Sequence, residues 1–292
     1  LKLPRFEYQS PESLDEVLAL LAEHGDEAKV LAGGQSLVPL LAMRLARPAQ
    51  IVDINRVPGL AGIEERDGDV VFGATVRERA AERSPVVRER LPLLAEALPL
   101  IGHPAIRTRG TIGGTVAHAD ASAEIPCVLA ALDGSVVARS MRGERIITAA
   151  DFFCGHFTTA LDDDECVVEV RFPVMEPSAG FAFCEVARRH GDFALVGVAA
   201  ALHVDDDRRI TASRIALMGV DEVPYRARAA EAALIGAEPT AEVFAAAAQT
   251  ATADLDPASD THGSAAYRRH LAAVTVRRAL TTAAGRARGE SA

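Results

Sequence analysis

Apolar positions along this chain follow two rhythms, and the change between them divides the molecule. Near the start, short apolar runs alternate with helical spacing. Residues 4–8 read as a short strand, and Ser13 then opens a helix whose Leu14, Val17, Leu18 and Leu21 share one face. Ser13 and Glu16 form a capping box, and Gly25 stands just past the helix end. Residues 29–31 and 50–54 read as strands on either side of a second helix from Leu37 to Met43 that Ser36 is placed to cap. Strand, helix, strand, helix, strand predicts a small βαβαβ unit. From Pro58 the register changes. Residues 69–74 read as a strand, Thr75 and Glu78 as a second capping box, and residues 84–100 as a helical stretch broken by prolines. Residues 135–139 and 145–148 resemble a hairpin, Phe152, Phe153 and Phe157 read as core packing, and residues 166–172 form a further strand. Pro173 and Pro177 bracket a boundary.

Beyond that boundary three strands come in succession, at residues 180–187, 194–204 and 209–220, with Asp205, Asp206 and Asp207 as a polar turn. Three alanine-rich helices follow, at residues 226–235, 241–253 and 264–286. A strand trio followed by a helix trio predicts an α+β module packed on the first. The expected organisation is a domain over residues 1–176, with subdomains of about 1–57 and 58–176, and a second domain over 177–292.

Composition narrows the classes without choosing among them. With 292 residues, 49% of them hydrophobic and 25% charged, the chain can bury a substantial core. A formal net charge of −10, with no basic stripe interleaved with aromatics, argues against a nucleic-acid partner. The four cysteines, Cys127, Cys154, Cys166 and Cys184, form no C-x-x-C pair, so neither an iron–sulfur cluster nor a zinc site is expected on this chain. They read as core thiols of a reducing compartment. No apolar signal core and no membrane-length apolar run is visible, which places the chain in the cytoplasm and leaves attachment to the inner face of a membrane through a partner open.

Two glycine pairs carry the chemistry. Residues 29–36, KVLAGGQS, read as a strand that stops, a tight loop and a helix start, and residues 103–126 contain Thr111, Ile112, Gly113 and Gly114 followed by Ser122, Ala123, Glu124, Ile125 and Pro126. Paired glycines admit close approach of a ligand to backbone amides, and inward-turned amides cradle anions. Ser122 reads as the N-cap of an apolar helix running to Leu132, so the second loop also feeds a helix N-terminus. Either pair alone is shared with plain turns. Two of them could grip one extended diphosphate from both sides.

Single residues near these loops admit more than one reading. His118 suits proton transfer or the positioning of a ligand by hydrogen bonding. Asp120 and Glu124 suit an acid/base pair, or a cap and a first-turn acid, with Glu124 preferred as an acceptor for ligand hydroxyls. Arg107 and Arg109 suit neutralisation of a diphosphate or a solvated surface equally. Phe193, in a polar turn that leads into an apolar strand, reads as core packing or as a lid on a planar ring.

Together, residues 32–36 (AGGQS), residues 111–114 (TIGG), His118-Ala119-Asp120 and Glu124-Ile125-Pro126 closely resemble the FAD-binding medium subunit of molybdenum hydroxylases, the family of aerobic carbon monoxide dehydrogenase and the flavin domain of xanthine dehydrogenase. Gly191-Asp192-Phe193-Ala194 and the stretch from Gly219-Val220 to Pro224-Tyr225-Arg226 extend the likeness over nearly the whole chain. The resemblance implies an α+β fold: a two-subdomain FAD-binding domain of the vanillyl-alcohol-oxidase (PCMH) type, then a C-terminal domain with a three-stranded antiparallel sheet and a helical bundle. It implies FAD held by Lys29, Ala32, Gly33, Gly34, Gln35, Ser36 and Leu37 from the first loop and by Thr111, Gly113, Gly114, Thr115, Ala117, His118, Asp120 and Glu124 from the second. Ile101 and Val167 would add apolar contacts, and Phe193 would cover the isoalloxazine. No catalytic residue is assigned to this chain.

The implied assembly adds a large molybdopterin-binding subunit and a small 2Fe-2S subunit, as a dimer of heterotrimers. Electrons would pass from the partner's clusters through FAD to an external acceptor. Two departures stand out: Thr115 where many relatives have asparagine, and Gln35 where carbon monoxide oxidisers often have histidine. The second makes carbon monoxide a less secure substrate. Competing readings are a self-contained flavin oxidase or dehydrogenase with His118 or Tyr225 as base, and a scaffold that has lost its cofactor.

Overall fold

In the computed structural model, residues 2–289 are described; Leu1 and residues 290–292, the outermost ends of the two expected domains, lie outside them. Strands Glu7–Gln9, Ala28–Leu31 and Gln50–Asp53 form a parallel sheet with the last strand in the middle, joined by helices Leu14–His24 and Leu37–Met43. The first helix starts as its sequence dictates. Ser13 Oγ accepts the Glu16 amide at 3.2 Å, while Glu16 Oε2 accepts the Glu12 amide at 2.9 Å. Its buried face is Val17, Leu18 and Leu21, each worth about 1.5–3 kcal/mol of apolar burial. The second helix starts differently: Ser36 makes no cap hydrogen bond, because its own backbone (φ −102, ψ −48) is already helical and turns the hydroxyl away from the first-turn amides.

An antiparallel sheet follows, in the spatial order Ile63–Arg66, Asp69–Gly73, Cys166–Pro173, Ser135–Ser140, Gly143–Thr148. The outermost strand, Ile63–Arg66, escaped the sequence reading because it carries a charged run on a solvated edge, a composition that discourages pairing with other chains. The Thr75–Glu78 capping box does not form. The helix begins at Glu78 with Arg77 as N-cap, and the Thr75 hydroxyl donates instead to the Leu60 carbonyl at 2.8 Å. Phe72 and Phe172 pack edge to face across the sheet at 5.5 Å, and Phe152 and Phe153 are buried. Phe157 is not core: it is 50% exposed, with φ +52, in the turn between Phe153–Gly155 and Thr158–Thr159.

The third sheet is antiparallel, Gly180–Ala187, Ala194–Val204 and Ile210–Met218, extended by a two-residue strand at Tyr225–Arg226. Helices Arg228–Leu234, Ala241–Thr252 and Ala265–Ala287 cover one face. Its middle strand is an unbroken buried run over residues 194–202, because both faces are covered. Val198, Ala200 and Leu202 join the core under the terminal helices, whereas Ala199 and Ala201 join the core of the first two sheets. Polar contacts fasten this sheet to the rest: the Gly219 amide donates to the Ala121 carbonyl at 2.9 Å, the Phe183 amide to Glu96 Oε2 at 3.0 Å, and Arg286 pairs with Glu96 at 2.6 Å. Among the described residues no helix is long and apolar enough to cross a membrane.

Candidate functional site

The two glycine motifs, more than seventy residues apart in the chain, meet. A Cβ on Gly33 would lie 2.4 Å from the Arg109 carbonyl oxygen and 2.9 Å from Gly110 Cα, so no larger residue fits between the two backbones. A Cβ on Gly114 would lie 3.6 Å from the Cβ of Ala32. Gly34 turns the first loop with φ +73.

The motifs differ in what they have left to offer. The second glycine pair is the first turn of a helix, Ile112–His118, and not an open loop. Thr111 is its N-cap, and Thr111 Oγ1 accepts the Gly114 amide at 3.0 Å. The Ile112 amide donates to the Val76 carbonyl at 2.9 Å and the Gly113 amide to the Ala74 carbonyl at 3.2 Å. The anion cradle expected there is therefore closed by the protein itself. Gly113 is required for another reason: its Cβ would stand 2.6 Å from Ala74 Cα. By contrast, the amides of Gly33, Gly34, Gln35 and Ser36 donate to nothing among the described residues. Gly33, Gly34 and Gln35 line a cleft of about 340 Å³ together with Asp53, Asn55 and Arg109. A narrow, side-chain-free wall with unspent donors fits a diphosphate.

A polar network bolts the two motifs together. Asn55 Nδ2 donates to the Ala32 carbonyl at 2.8 Å; Arg77 donates to Asn55 Oδ1 through Nη2 and to the Arg109 carbonyl through Nη1, each at 2.6 Å. Asp53 accepts from Asn55 through Oδ1 and from the Tyr8 hydroxyl through Oδ2 at 2.6 Å. Burial alone would raise the Asp53 carboxyl, but hydrogen bonds from Tyr8 and Asn55 and the charge of Arg77 outweigh it and hold it below its usual range. The Arg77 guanidinium is pushed down, first by burial and then by the like charge of Arg109, with Asp53 opposing. Tyr8, Asp53, Asn55 and Arg77 carry no motif and were missed in the sequence. The one available signal was that residues 53–55 leave a strand beside the first loop.

Glu78 was missed as a site residue too. It is buried, accepts the Thr115 hydroxyl through Oε1 at 2.6 Å, and leaves Oε2 without a partner against Gly110. Burial pushes its carboxyl up to about 7, against the Thr115 hydrogen bond and the charge of Arg107. Glu124 is buried likewise and pushed up to about 8, its own backbone amide opposing and Glu185, Glu78 and Asp120 adding. The upward shift favours the protonated form, which can donate as well as accept. Ser122 does not cap the following helix, Glu124–Ala131. Asp120 Oδ1 takes the Ser122 amide at 2.8 Å, and the N-cap passes to Ala123.

The remaining candidates spread around this centre. The His118 ring stacks on Phe157 at 4.9 Å, and burial lowers its basicity against the pull of Asp120. Ala117 and Lys29 are exposed, the latter on the strand that leads into the first loop. Leu37 is half-buried, and Gln35 donates to the Gly33 carbonyl at 3.3 Å. Ile101 and Val167 are buried in the first core. Phe193 is 73% exposed, which removes its core reading and leaves an uncovered ring beyond Gly191. The two arginines separate. Arg107 is buried, paired with Glu82 at 2.9 Å and bonded to the Ile101 carbonyl at 2.7 Å, so it has no charge to spare for a ligand. Arg109 is exposed at the cleft.

Residues 4–175 match the family model described as the FAD binding domain in molybdopterin dehydrogenase, and residues 181–283 match the CO dehydrogenase flavoprotein C-terminal domain. The chain is 44% identical to the 6-hydroxypseudooxynicotine dehydrogenase complex subunit alpha of Paenarthrobacter nicotinovorans, over 99% of this chain and 97% of that one. It is 42% identical to the caffeine dehydrogenase subunit beta of Pseudomonas sp. (strain CBB1), over 98% and 97%. Among solved structures, a chain of the carbon monoxide dehydrogenase of Hydrogenophaga pseudoflava, in a form lacking the Mo-pyranopterin moiety, superposes with a TM-score of 0.95 at 42% identity, over 98% of this chain and 99% of that one.

Proposed function

Because the chain belongs to the family of FAD-binding medium subunits of molybdenum hydroxylases, we propose that it is their electron relay: its residues would hold FAD, which would supply the redox link between iron–sulfur clusters on a small partner subunit and an external acceptor. Substrate hydroxylation belongs to a large molybdopterin-binding subunit, and the assembly is a dimer of such heterotrimers. We place it in the cytoplasm, with any membrane attachment made by a partner. The observation that carries the reading is the contact of the two glycine motifs, Gly33 against Arg109, with unspent amides on the first.

In this reading residues 1–176 hold the cofactor and residues 177–292 close over it. The amides of residues 33–36 take the diphosphate, Thr115 and Glu124 face ligand hydroxyls, with Lys29, Leu37, Ala117, His118 and Asp120 around them, and Phe193 lies over the ring system. Ile101 and Val167 support this pocket from the core. The substrate is not chosen on this chain. Relatives named for a nicotine derivative, for caffeine and for carbon monoxide share 42–44% identity with it.

The test is reconstitution. The isolated chain takes up FAD and oxidises no organic substrate, and turnover appears only when the partner subunits are added. Turnover by the chain alone would instead support a self-contained flavin enzyme.

A further inference from the structure

We propose that Arg77 is a positioning residue that clamps the two glycine motifs at the separation a diphosphate needs, and that Arg77 and Arg109 together form the counter-charge for that anion. The inference rests on the flavin reading above and adds Arg77, a residue outside both glycine motifs, to the Arg109 that the sequence offered for a diphosphate.

The clamp has a backbone half and a side-chain half. In the backbone, Arg77 forms an isolated antiparallel bridge with Thr111, flanked by hydrogen bonds from Glu78 N to the Gly110 carbonyl at 3.0 Å and from Ile112 N to the Val76 carbonyl. Arg77 is therefore strapped to the second motif before its side chain is considered. The guanidinium then spans the gap, one nitrogen on the Arg109 carbonyl and the other on Asn55, whose amide holds Ala32 in the first motif. This path runs Ala32, Asn55, Arg77, Arg109 and touches both walls of the cleft. Only a planar fork with fixed spacing can make both contacts at once; a lysine ammonium supplies charge at one point.

Charge gives the second half of the argument. Arg77 is half-buried, and its nearest charged neighbours are Arg109 and Asp53; Asp53 already accepts from Tyr8 and Asn55. Two guanidiniums therefore lie together beside a wall of free amides, with Asp53 opposing the charge of Arg77. Like charges repel when one of them is partly withdrawn from water, as Arg77 is, unless something of opposite sign lies with them. An extended anion laid along Gly33 to Ser36 relieves that repulsion and also satisfies the amides. Arg107, the other guanidinium of this segment, is consumed by Glu82 and contributes nothing here.

The experiment titrates the flavin-free full chain with FAD, with ADP and with riboflavin, at two salt concentrations, for wild type, Arg77→Gln, Arg77→Lys and Arg109→Gln, with circular dichroism confirming that each variant is folded. Expected is a roughly ten- to hundredfold loss of FAD and ADP affinity for R77Q, the scale of one charge-assisted hydrogen bond, with riboflavin affinity unchanged. R77K fails to rescue, while R109Q loses less affinity and flattens the salt dependence. Wild-type affinity in R77K would overturn the clamp, because charge alone would then suffice. Equal losses for FAD and riboflavin would also overturn it, since a general loosening of the fold does not distinguish ligands by their phosphates. Failure of the wild-type chain to bind FAD or ADP would overturn the flavin reading itself, an outcome separate from both.

Discussion

Replacing Gly33 by alanine tests the meeting of the two motifs directly. The added Cβ would sit 2.4 Å from the Arg109 carbonyl oxygen, and ordinary contact begins near 3.4 Å, so the walls must part by about 1 Å. The obstacle cannot swing aside. It is backbone, and it is held by Arg77 Nη1 on the same oxygen and by the Arg109 amide on the Ile106 carbonyl at 3.0 Å. Forcing an extra methyl into such a contact costs about 1–3 kcal/mol of stability. A displacement of about 1 Å also takes ligand oxygens out of hydrogen-bond range of one wall, at about 1.5–3 kcal/mol per charge-assisted bond, which is roughly ten- to hundredfold in FAD affinity. Urea unfolding of the flavin-free chain measures the first quantity, and FAD titration followed by flavin fluorescence measures the second. Gly62→Ala is the control. Gly62 has no left-handed φ and nothing within 4 Å of its added Cβ, so its stability should hold or rise by about 0.4–1 kcal/mol. A G33A chain with wild-type midpoint and wild-type FAD affinity would refute the argument that the two backbones touch.

Other outcomes follow from single groups. The native Glu78 carboxyl holds its proton up to about pH 7 whereas the unfolded one loses it near 4.5; the native state therefore binds more protons across that window and stability falls as pH rises through it. Glu78→Gln removes this slope, gaining up to about 3 kcal/mol over wild type at pH 8 relative to pH 4, as read by urea midpoints at the two pH values. Arg107→Ala leaves Glu82 with Arg79 as its remaining partner and takes the donor from the Ile101 carbonyl, and should cost about 1–3 kcal/mol, whereas Arg109→Ala should change the midpoint by less than about 0.5 kcal/mol. Phe193→Ala removes a 73% exposed ring, so the unfolding midpoint should not move while bound-flavin fluorescence and iodide quenching rise; unchanged quenching would remove Phe193 from the flavin site.

What could be read from the sequence was local in origin. The Ser13 cap is settled by residues three apart, and the strands of the last sheet are apolar runs parted by a polar turn, so both appear where the pattern puts them, with the Glu16 carboxylate reaching the Glu12 amide one residue before the cap. What escaped depends on partners far along the chain. Arg107 and Arg109 are alike in type and two residues apart, yet Glu82 buries one and leaves the other at the cleft. Ser36 and Ser122 have the right identity for caps, but capping needs an extended backbone at the serine. Ser36 is helical, and the Ser122 amide is drawn into a turn by Asp120. Phe157 looked like core because phenylalanine usually is; its left-handed backbone places it at a hairpin tip instead.

The two glycine pairs look equivalent in sequence, and the structure makes them complementary. The second spends its amides on Ala74, Val76 and its own Thr111 and so locks its position against the segment that follows the Asp69–Gly73 strand; Gly113 serves backbone packing. The first keeps its amides free, and its glycines serve approach. A rigid wall facing an unsatisfied one is a better anion clamp than two open loops, because only one side must become ordered when the ligand arrives. The cost of that arrangement is that the rigid wall must be registered to the other by something outside both motifs. The Asn55–Arg77 bridge supplies the registration, which is why residues without any glycine-motif signature decide whether the glycine motifs can act together.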